Sequence, residues 1–539
     1  MDFDLQELKL IDPSMGSGHI LVYAFDVLIQ LYSAEGYRDR DAAELILSNN
    51  LFGLDIDKRA FQLTYFALMM KGRQYSRRIL TKNIMPKVYS VPNNFGINET
   101  ELQLLHIDFP NNAKGYEDLL TLSDGFKHGD DLGSLIKFNG IDFENLKTGL
   151  NKGSISLIEY GLNEMIDVGE LLQQEYEIGI TNPPYMGSSG FNQILSKFSK
   201  KNYPNSKSDL FAMFIERWNL SIKTKGYSSM VTMQSWMFLS SYESMRKNII
   251  QNYTISNLMH MENMVMGIAF GTVVTILNKD ILSEFKGTYH QIKTQDVSNE
   301  NVPQKLPISG NRFNQTNQKQ FDKIPGSPIS YWVSENLSNL FQTHKTISDY
   351  YDLKVGIQTG DNPLFYKKHW EVNINSEHWF KCNKNGEYRR WYGNLDTLIF
   401  WRNDGEDIKK HKSSRPQNLE YYFREGVAWS NISSSASISA RFEPKGMVFD
   451  QTVPTIFSIN ESSLLEIIAY LNSKVAINMA KAISPTMHFN TGEVSKYPFM
   501  PYSNEYVDQL VNNNIKITKK DWDSFETSWD FDRHPLFKK

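Results

Sequence analysis

The sequence predicts an α/β fold, and three observations carry that expectation. Two short apolar runs, residues 8–11 and 51–54, each end in an aspartate, Asp12 and Asp55. Each is followed by a segment whose apolar residues recur at helical spacing, as with Ile20, Leu21, Ala24, Phe25, Leu28 and Leu31. A third run, 176–181, ends in the tetrapeptide Asn182-Pro183-Pro184-Tyr185. Alternating strand and helix is the pattern of a parallel sheet covered on both faces.

Taken in order, the strand at 8–11 leads through a glycine-rich turn to a helix over 19–33, then a helix at 41–47, the second strand and a helix over 58–70. Residues 73–175 read as an inserted helical region, with asparagine-rich patches at 93–98 and 111–112 and a break at Pro110. The sheet pattern resumes at 176–181, followed by a helix at 210–222, a strand at 227–232, a helix at 242–250 and a strand at 272–277. The polar stretch 295–320 is rich in Asn and Gln and shows little periodicity, so the linker is placed at 291–325 between an N-terminal domain (1–290) and a C-terminal one (326–539).

Composition narrows the function classes. At 539 residues the chain predicts two to four domains, and 40% hydrophobic residues suffice for sizeable cores. Its single cysteine, Cys382, excludes a disulfide within the chain and any zinc site built on several thiolates. No apolar run is long enough to span a bilayer, and Met-Asp-Phe-Asp does not begin a secretory signal, so a soluble, cytoplasmic protein without a membrane partner is expected. Residues 1–300 carry 28 basic against 35 acidic side chains, net −7, and the remainder 29 against 26, net +3. That split favours a polyanion partner for the C-terminal part.

Two constellations carry the chemistry. The first is Asp12-Pro13-Ser14-Met15-Gly16-Ser17-Gly18, between a strand and a helix. Gly16 and Gly18 permit a tight turn and close ligand approach, and the helix start offers free N–H groups. An ordinary glycine-rich turn fits this run equally well, and Asp55 at the end of the next strand tips the balance. A carboxylate there accepts from both hydroxyls of a ribose. Neither the G-x-G-x-x-G spacing nor a phosphate-loop Lys-Ser/Thr is present, so an adenosine ligand without a pyrophosphate fits better, which points to S-adenosylmethionine. The second constellation is Asn182-Pro183-Pro184-Tyr185. The prolines stiffen the backbone and leave carbonyls exposed. The Asn182 side-chain oxygen and the Pro183 carbonyl then both accept from one exocyclic NH₂, while Tyr185 offers a face on which a base stacks. No metal is required.

These two motifs, in this order, resemble the amino-methyltransferases that act on N6 of adenine in DNA. Residues 10–280 look like the catalytic domain of PglX-type methyltransferases of BREX phage-defence systems. The resemblance runs through 12–23, 51–60, 131–136, 182–187, 207–216 and 232–241, and in the C-terminal part through 324–333, 356–362, 389–394, 421–434 and 521–535. It implies a Rossmann-like S-adenosylmethionine-dependent methyltransferase domain with a helical insertion, followed by a mixed α+β target-recognition domain. The substrate implied is duplex DNA with a flipped adenine, and other defence-system proteins are further expected partners. Asn182, Pro183, Pro184 and Tyr185 become the catalytic candidates; Asp12, Pro13, Gly16, Gly18, Asp55 and Asp131 become the cofactor-binding ones. Asp130 is as good a candidate as its neighbour Asp131, and His19 is given no catalytic role. Arg389, Arg390 and Lys445 are candidate phosphate contacts, and the small-residue loop 433–439 a candidate for close backbone approach. A segment normally precedes the glycine-rich motif in such enzymes, and the family continues beyond the His534-Pro535-Leu536 region, so the chain is expected to be an internal portion of a longer protein or one part of a split one. Three other readings compete: a protein-glutamine methyltransferase, which would need no large downstream domain; a restriction-modification subunit; and an inactive DNA-recognition or scaffolding subunit.

Overall fold

The computed structural model describes residues 4–93, 107–150, 157–265, 267–298, 305–308, 312–373, 376–432, 437–459, 462–483 and 488–537. The chain divides into two units, Met1–Lys319 and Gln320–Lys539.

The first unit is built on a nine-stranded sheet. Its strands are β1 (Leu10–Asp12), β2 (Leu51–Asp55), β3 (Lys87–Ser90), β4 (Tyr176–Thr181), β5 (Ile222–Met233), β6 (Thr254–Met261), β7 (Thr272–Asn278), β8 (Gly287–Ile292) and β9 (Phe313–Thr316), in the order β3-β2-β1-β4-β5-β7-β6-β8-β9. From β3 to β5 every neighbour is parallel, whereas β7 is antiparallel to both β5 and β6. The chain winds outward from β1 through β2 to β3, then returns to the other side of β1 with β4. That reversal opens a crevice beyond the carboxyl ends of β1 and β4, the place where open α/β sheets bind ligands. Asp12 closes β1, and Asn182 directly follows β4.

The local reasons are visible in the sequence. All three residues of β1 and the first four of β2 are buried, as expected for strands covered on both faces. Helix His19–Ala34 buries Leu21, Phe25, Leu28, Ile29 and Tyr32 against the sheet. Helix Lys58–Tyr75 is capped by Asp57, whose carboxylate accepts from the Arg59 N–H at 2.8 Å.

Two expectations need correction. Residues 73–175 are not helical throughout: β3 pairs with β2 before the helices Asn112–Gly125, Phe143–Leu150 and Leu157–Gln173 begin. Four residues with alternating burial give too short a period to read. The linker expected at 291–325 contains the end of β8 and all of β9, which pairs with β8, so the sheet extends to Thr316. Phe313-Asn-Gln-Thr forms the outer strand of the sheet, where polar side chains are tolerated, and its composition therefore reads as loop.

The second unit holds two four-stranded sheets. One joins β10 (Tyr351–Lys354), β17 (Thr455–Ser458), β14 (Gly426–Trp429) and β15 (Ala440–Glu443) in that order; the other joins β11 (Tyr366–Lys368), β13 (Thr397–Phe400), β12 (Trp379–Asn383) and β16 (Val448–Phe449). Helices Leu464–Leu471 and Lys474–Ile483 contribute Ile467, Ile468, Leu471 and Met479 to a core shared with Val427, Trp429 and Ile456. A second core gathers Cys382, Ile399, Trp401 and Phe449. This is the mixed α+β architecture that was expected. Among the candidate phosphate contacts, Arg389 is paired with Asp521 at 2.9 Å and stacked on Trp522, while Lys445 lies 3.9 Å from Glu425. Residues 433–436 of the small-residue loop and 94–98 of the first asparagine-rich patch lie outside the described residues.

Candidate active site

The glycine-rich turn and the Asn-Pro-Pro-Tyr segment are joined by a hydrogen-bonded chain. Asp12 is fully buried at the end of β1, where its Oδ1 accepts from the Thr181 hydroxyl at 2.7 Å and from the Ser14 N–H at 3.2 Å. The Ser14 hydroxyl lies 2.7 Å from Thr181 Oγ1 and 3.3 Å from the Asn182 carbonyl. Burial pushes the Asp12 carboxyl up to about 7, against the lowering effect of the Thr181 and Ser14 bonds. Its second oxygen, Oδ2, is buried and has no partner. A buried carboxylate oxygen without a donor costs free energy, and a cationic or N–H-bearing ligand group removes that cost.

Asp55 works through the backbone of the turn. Its Oδ2 accepts from the Gly16 N–H at 2.9 Å and its Oδ1 from the Asp57 N–H at 2.8 Å, which fixes the carboxylate at the rim of the crevice. Each oxygen keeps a lone pair for another donor. Gly16 and Gly18 both adopt positive φ, +54° and +83°, and a Cβ on Gly18 would come within 2.9 Å of the Thr64 side chain. The Thr64 hydroxyl itself donates to the Gly16 carbonyl at 2.9 Å. The turn is thus held from both sides.

These elements border a cleft of about 490 Å³. Pro13, Asp55, Asp131, Asn182 and Pro184 line it; Asp12, Gly16, Gly18, Pro183 and Tyr185 do not line it themselves but support or flank residues that do. Asp131 accepts from the Asn192 side-chain amide at 2.5 Å, and Asp130, also on the wall, pairs with Asn93. Ser14, which lies in the glycine-rich motif without an assigned role, also lines the cleft, as do Ile56, Ser134, Asn192 and Phe214, which were not among the candidate site residues. Ser134 donates to the Pro13 carbonyl at 2.7 Å, and Asn192 also caps helix Gln193–Asn202. An Asn just before an amphipathic helix was the available signal for Asn192.

The fit to S-adenosylmethionine can be judged from the donor set. The apolar walls, Ile56, Leu135 and Phe214, suit a planar ring; Asp55 suits a diol; the partnerless Asp12 Oδ2 suits a cationic group. The residues fit.

The Asn-Pro-Pro-Tyr segment itself is well fixed. Tyr185 lies edge-on to Phe211 and Phe270, with ring centroids at 6.2 and 5.9 Å. Its hydroxyl is 2.9 Å from Asn182 Oδ1 and 3.0 Å from the Val231 carbonyl.

The mainly parallel sheet, with β7 and the edge strand β9 antiparallel, and a cleft at its point of reversal define a Rossmann-like methyltransferase fold. Residues 49–265 match the family model described as the Eco57I restriction-modification methylase. Two solved restriction-modification enzymes share the fold: LlaGI, Type ISP, in a nuclease-deletion form with a DNA substrate mimic (TM-score 0.53, 11% identity, covering 96% of this chain and 44% of that one), and the Type IIL enzyme MmeI with DNA (0.53, 12%, 98% and 67%).

More particularly, the chain is similar over nearly its whole length to adenine-specific methyltransferases of the PglX type. It is 37% identical to adenine-specific methyltransferase PglX of Lacticaseibacillus casei (strain Zhang), over 98% of this chain, and 35% identical to BrxX of Escherichia coli O9:H4 (strain HS), over 99%. The chain spans about half, 47%, of the length of each.

Proposed function

We propose that this chain carries the methyl-transfer chemistry of a site-specific DNA methyltransferase acting on N6 of adenine in duplex DNA, with a role in BREX-type phage defence. One observation carries the reading: Asn182 and Pro184 border the same cleft as Asp55 and Pro13, with Asp12 beneath. S-adenosylmethionine, when bound, supplies an electrophilic methyl group. The chain's residues do the rest by positioning. Asp55 accepts from the ribose hydroxyls, Asp12 faces the methionine end, and Asp131 or Asp130 meets the adenine end of the cofactor. A stacked duplex adenine cannot present its amino group to this cleft, so it is flipped out at a cost of a few kcal/mol. Asn182 Oδ1 and the Pro183 carbonyl then accept from the amino group and leave its lone pair aimed into the cleft, while Tyr185 stacks on the ring. Orientation of this kind supplies several kcal/mol of barrier lowering. The second unit, with a mixed α+β architecture of its own, is read as the target-recognition domain.

The matched family model favours one further reading, that the chain is the methylase part of a restriction-modification enzyme. The test of the common core is transfer of labelled methyl from S-adenosylmethionine to unmethylated duplex DNA. Label is expected on adenine N6, and Asn182→Ala is expected to abolish transfer while leaving cofactor affinity, measured by calorimetry, within twofold. Transfer by Asn182→Ala at the unmodified rate would remove Asn182 from the mechanism.

A further inference from the structure

The Tyr185 hydroxyl sits between two groups, Asn182 Oδ1 at 2.9 Å and the Val231 carbonyl oxygen at 3.0 Å. A phenol carries one proton, and burial pushes its ionisation up to about 12, so that proton stays on. With the Asn182 oxygen turned toward it, the hydroxyl faces two acceptors and satisfies one. The Val231 carbonyl cannot change its role. β4 ends at Thr181, opposite Met230, so past that point β5 has no β4 backbone to supply an N–H.

The amide of Asn182 can change its role. A half-turn of the side-chain amide exchanges Oδ1 for Nδ2 and completes a directional chain: Asn182 Nδ2–H donates to the Tyr185 oxygen, and Tyr185 O–H donates to the Val231 carbonyl. The Tyr185 hydroxyl then both donates and accepts, and Asn182 Oδ1 points away from Tyr185, free to accept from an amino group. On the reading above, that is the orientation methyl transfer requires. We propose that the Tyr185 hydroxyl is a positioning group. Anchored on the Val231 carbonyl, it selects the rotamer of the Asn182 amide that presents oxygen to the target amine. Phe211 and Phe270, edge-on to the ring, hold the hydroxyl in place for this task. The role is separate from stacking, which the ring performs with or without its oxygen.

The inference rests on the adenine-methyltransferase reading for its consequence but not for its geometry, and two measurements keep them apart. In protein labelled with ¹⁵N-asparagine, the Asn182 side-chain amide signal is identified by its loss in Asn182→Ala. Tyr185→Phe, which keeps the ring, is expected to move one of the two amide protons upfield as its acceptor disappears. An unmoved signal overturns the proposal, whether or not the chain is active. In the transfer assay on unmethylated duplex DNA, Tyr185→Phe is expected to lower kcat about tenfold, the scale of one net hydrogen bond, with KM for DNA and cofactor affinity unchanged. A fall expressed in KM, or no fall, overturns it. If the amide signal moves but the unmodified chain transfers no methyl, the relay stands and the functional reading fails.

Discussion

Asp12 shows how much one side chain can report about a site. Burial holds its carboxyl up to about 7, far above the usual carboxylate range, and leaves Oδ2 without a donor. The unfolded chain loses this proton near 3.8, the folded chain near 7. The stabilisation that the protonated carboxyl contributes is therefore complete below about pH 4 and is lost as pH rises toward 7. A cationic ligand group inverts the preference, because it favours the carboxylate. Cofactor affinity is then expected to rise roughly tenfold per pH unit below 7 and to level off above it, with proton release on binding. Calorimetry between pH 5.5 and 8 in buffers of different ionisation enthalpy reads both effects. Asp12→Asn should flatten the profile. A profile already flat in the unmodified chain would show that no cation approaches Oδ2. The sequence pointed to Asp12 because an aspartate ended an apolar run before glycines. It did not show Thr181 as its partner, since that proximity depends on β4 lying beside β1, 169 positions along the chain.

At the scale of elements, legibility followed burial. β1 and β2, buried along almost their whole length, stood out as apolar runs, β4 was marked by the Asn-Pro-Pro-Tyr segment that follows it, and the helices stood out as periodic stripes. β3 and β9 did not, being four residues each, and β6 and β8 interleave buried and partly exposed positions around polar residues such as Asn257 and His290. The motifs were legible for a different reason: turns that must reverse the chain or stiffen it use Gly and Pro whatever packs around them. The turn before helix His19–Ala34 offers a direct test. Gly18 holds φ at +83° and faces Thr64 at a distance no Cβ tolerates. Gly18→Ala is expected to cost about 1–3 kcal/mol, from the left-handed backbone and the displaced threonine. The same variant should weaken cofactor binding, since the Thr64 hydroxyl that must move holds the Gly16 carbonyl. Denaturant titration gives the first number and calorimetry the second. Loss of stability with undiminished affinity would separate the turn's structural duty from the cleft.

For the whole molecule, the informative fact is that each unit has apolar cores of its own. Leu21, Phe25, Leu47 and Leu68 gather in the first unit; Trp429, Ile456, Ile468 and Met479 gather in the second. Composition foresaw two to four domains; the charge split read at residue 300 shrinks at the observed boundary, where residues 1–319 carry 31 basic against 35 acidic side chains and residues 320–539 carry 26 against 26. Composition could not place the boundary, because β9 is polar and lies inside the stretch that reads as linker. The cleft is built wholly from residues before Gln320. A ligand that binds only the folded form stabilises it by about 2.7 kcal/mol at a hundred times its dissociation constant. S-adenosylmethionine is therefore expected to raise the unfolding transition of Met1–Lys319 by a few degrees and to leave that of Gln320–Lys539 in place. The tryptophans make the two readable: of ten, only Trp218 and Trp236 precede Gln320, so fluorescence follows the second unit while circular dichroism follows both. A fluorescence midpoint that stays fixed while part of the dichroism transition climbs is the expected result. If both climb together, the units unfold as one cooperative block. If neither moves at cofactor concentrations that give a measurable heat of binding, the cofactor sits elsewhere than this cleft.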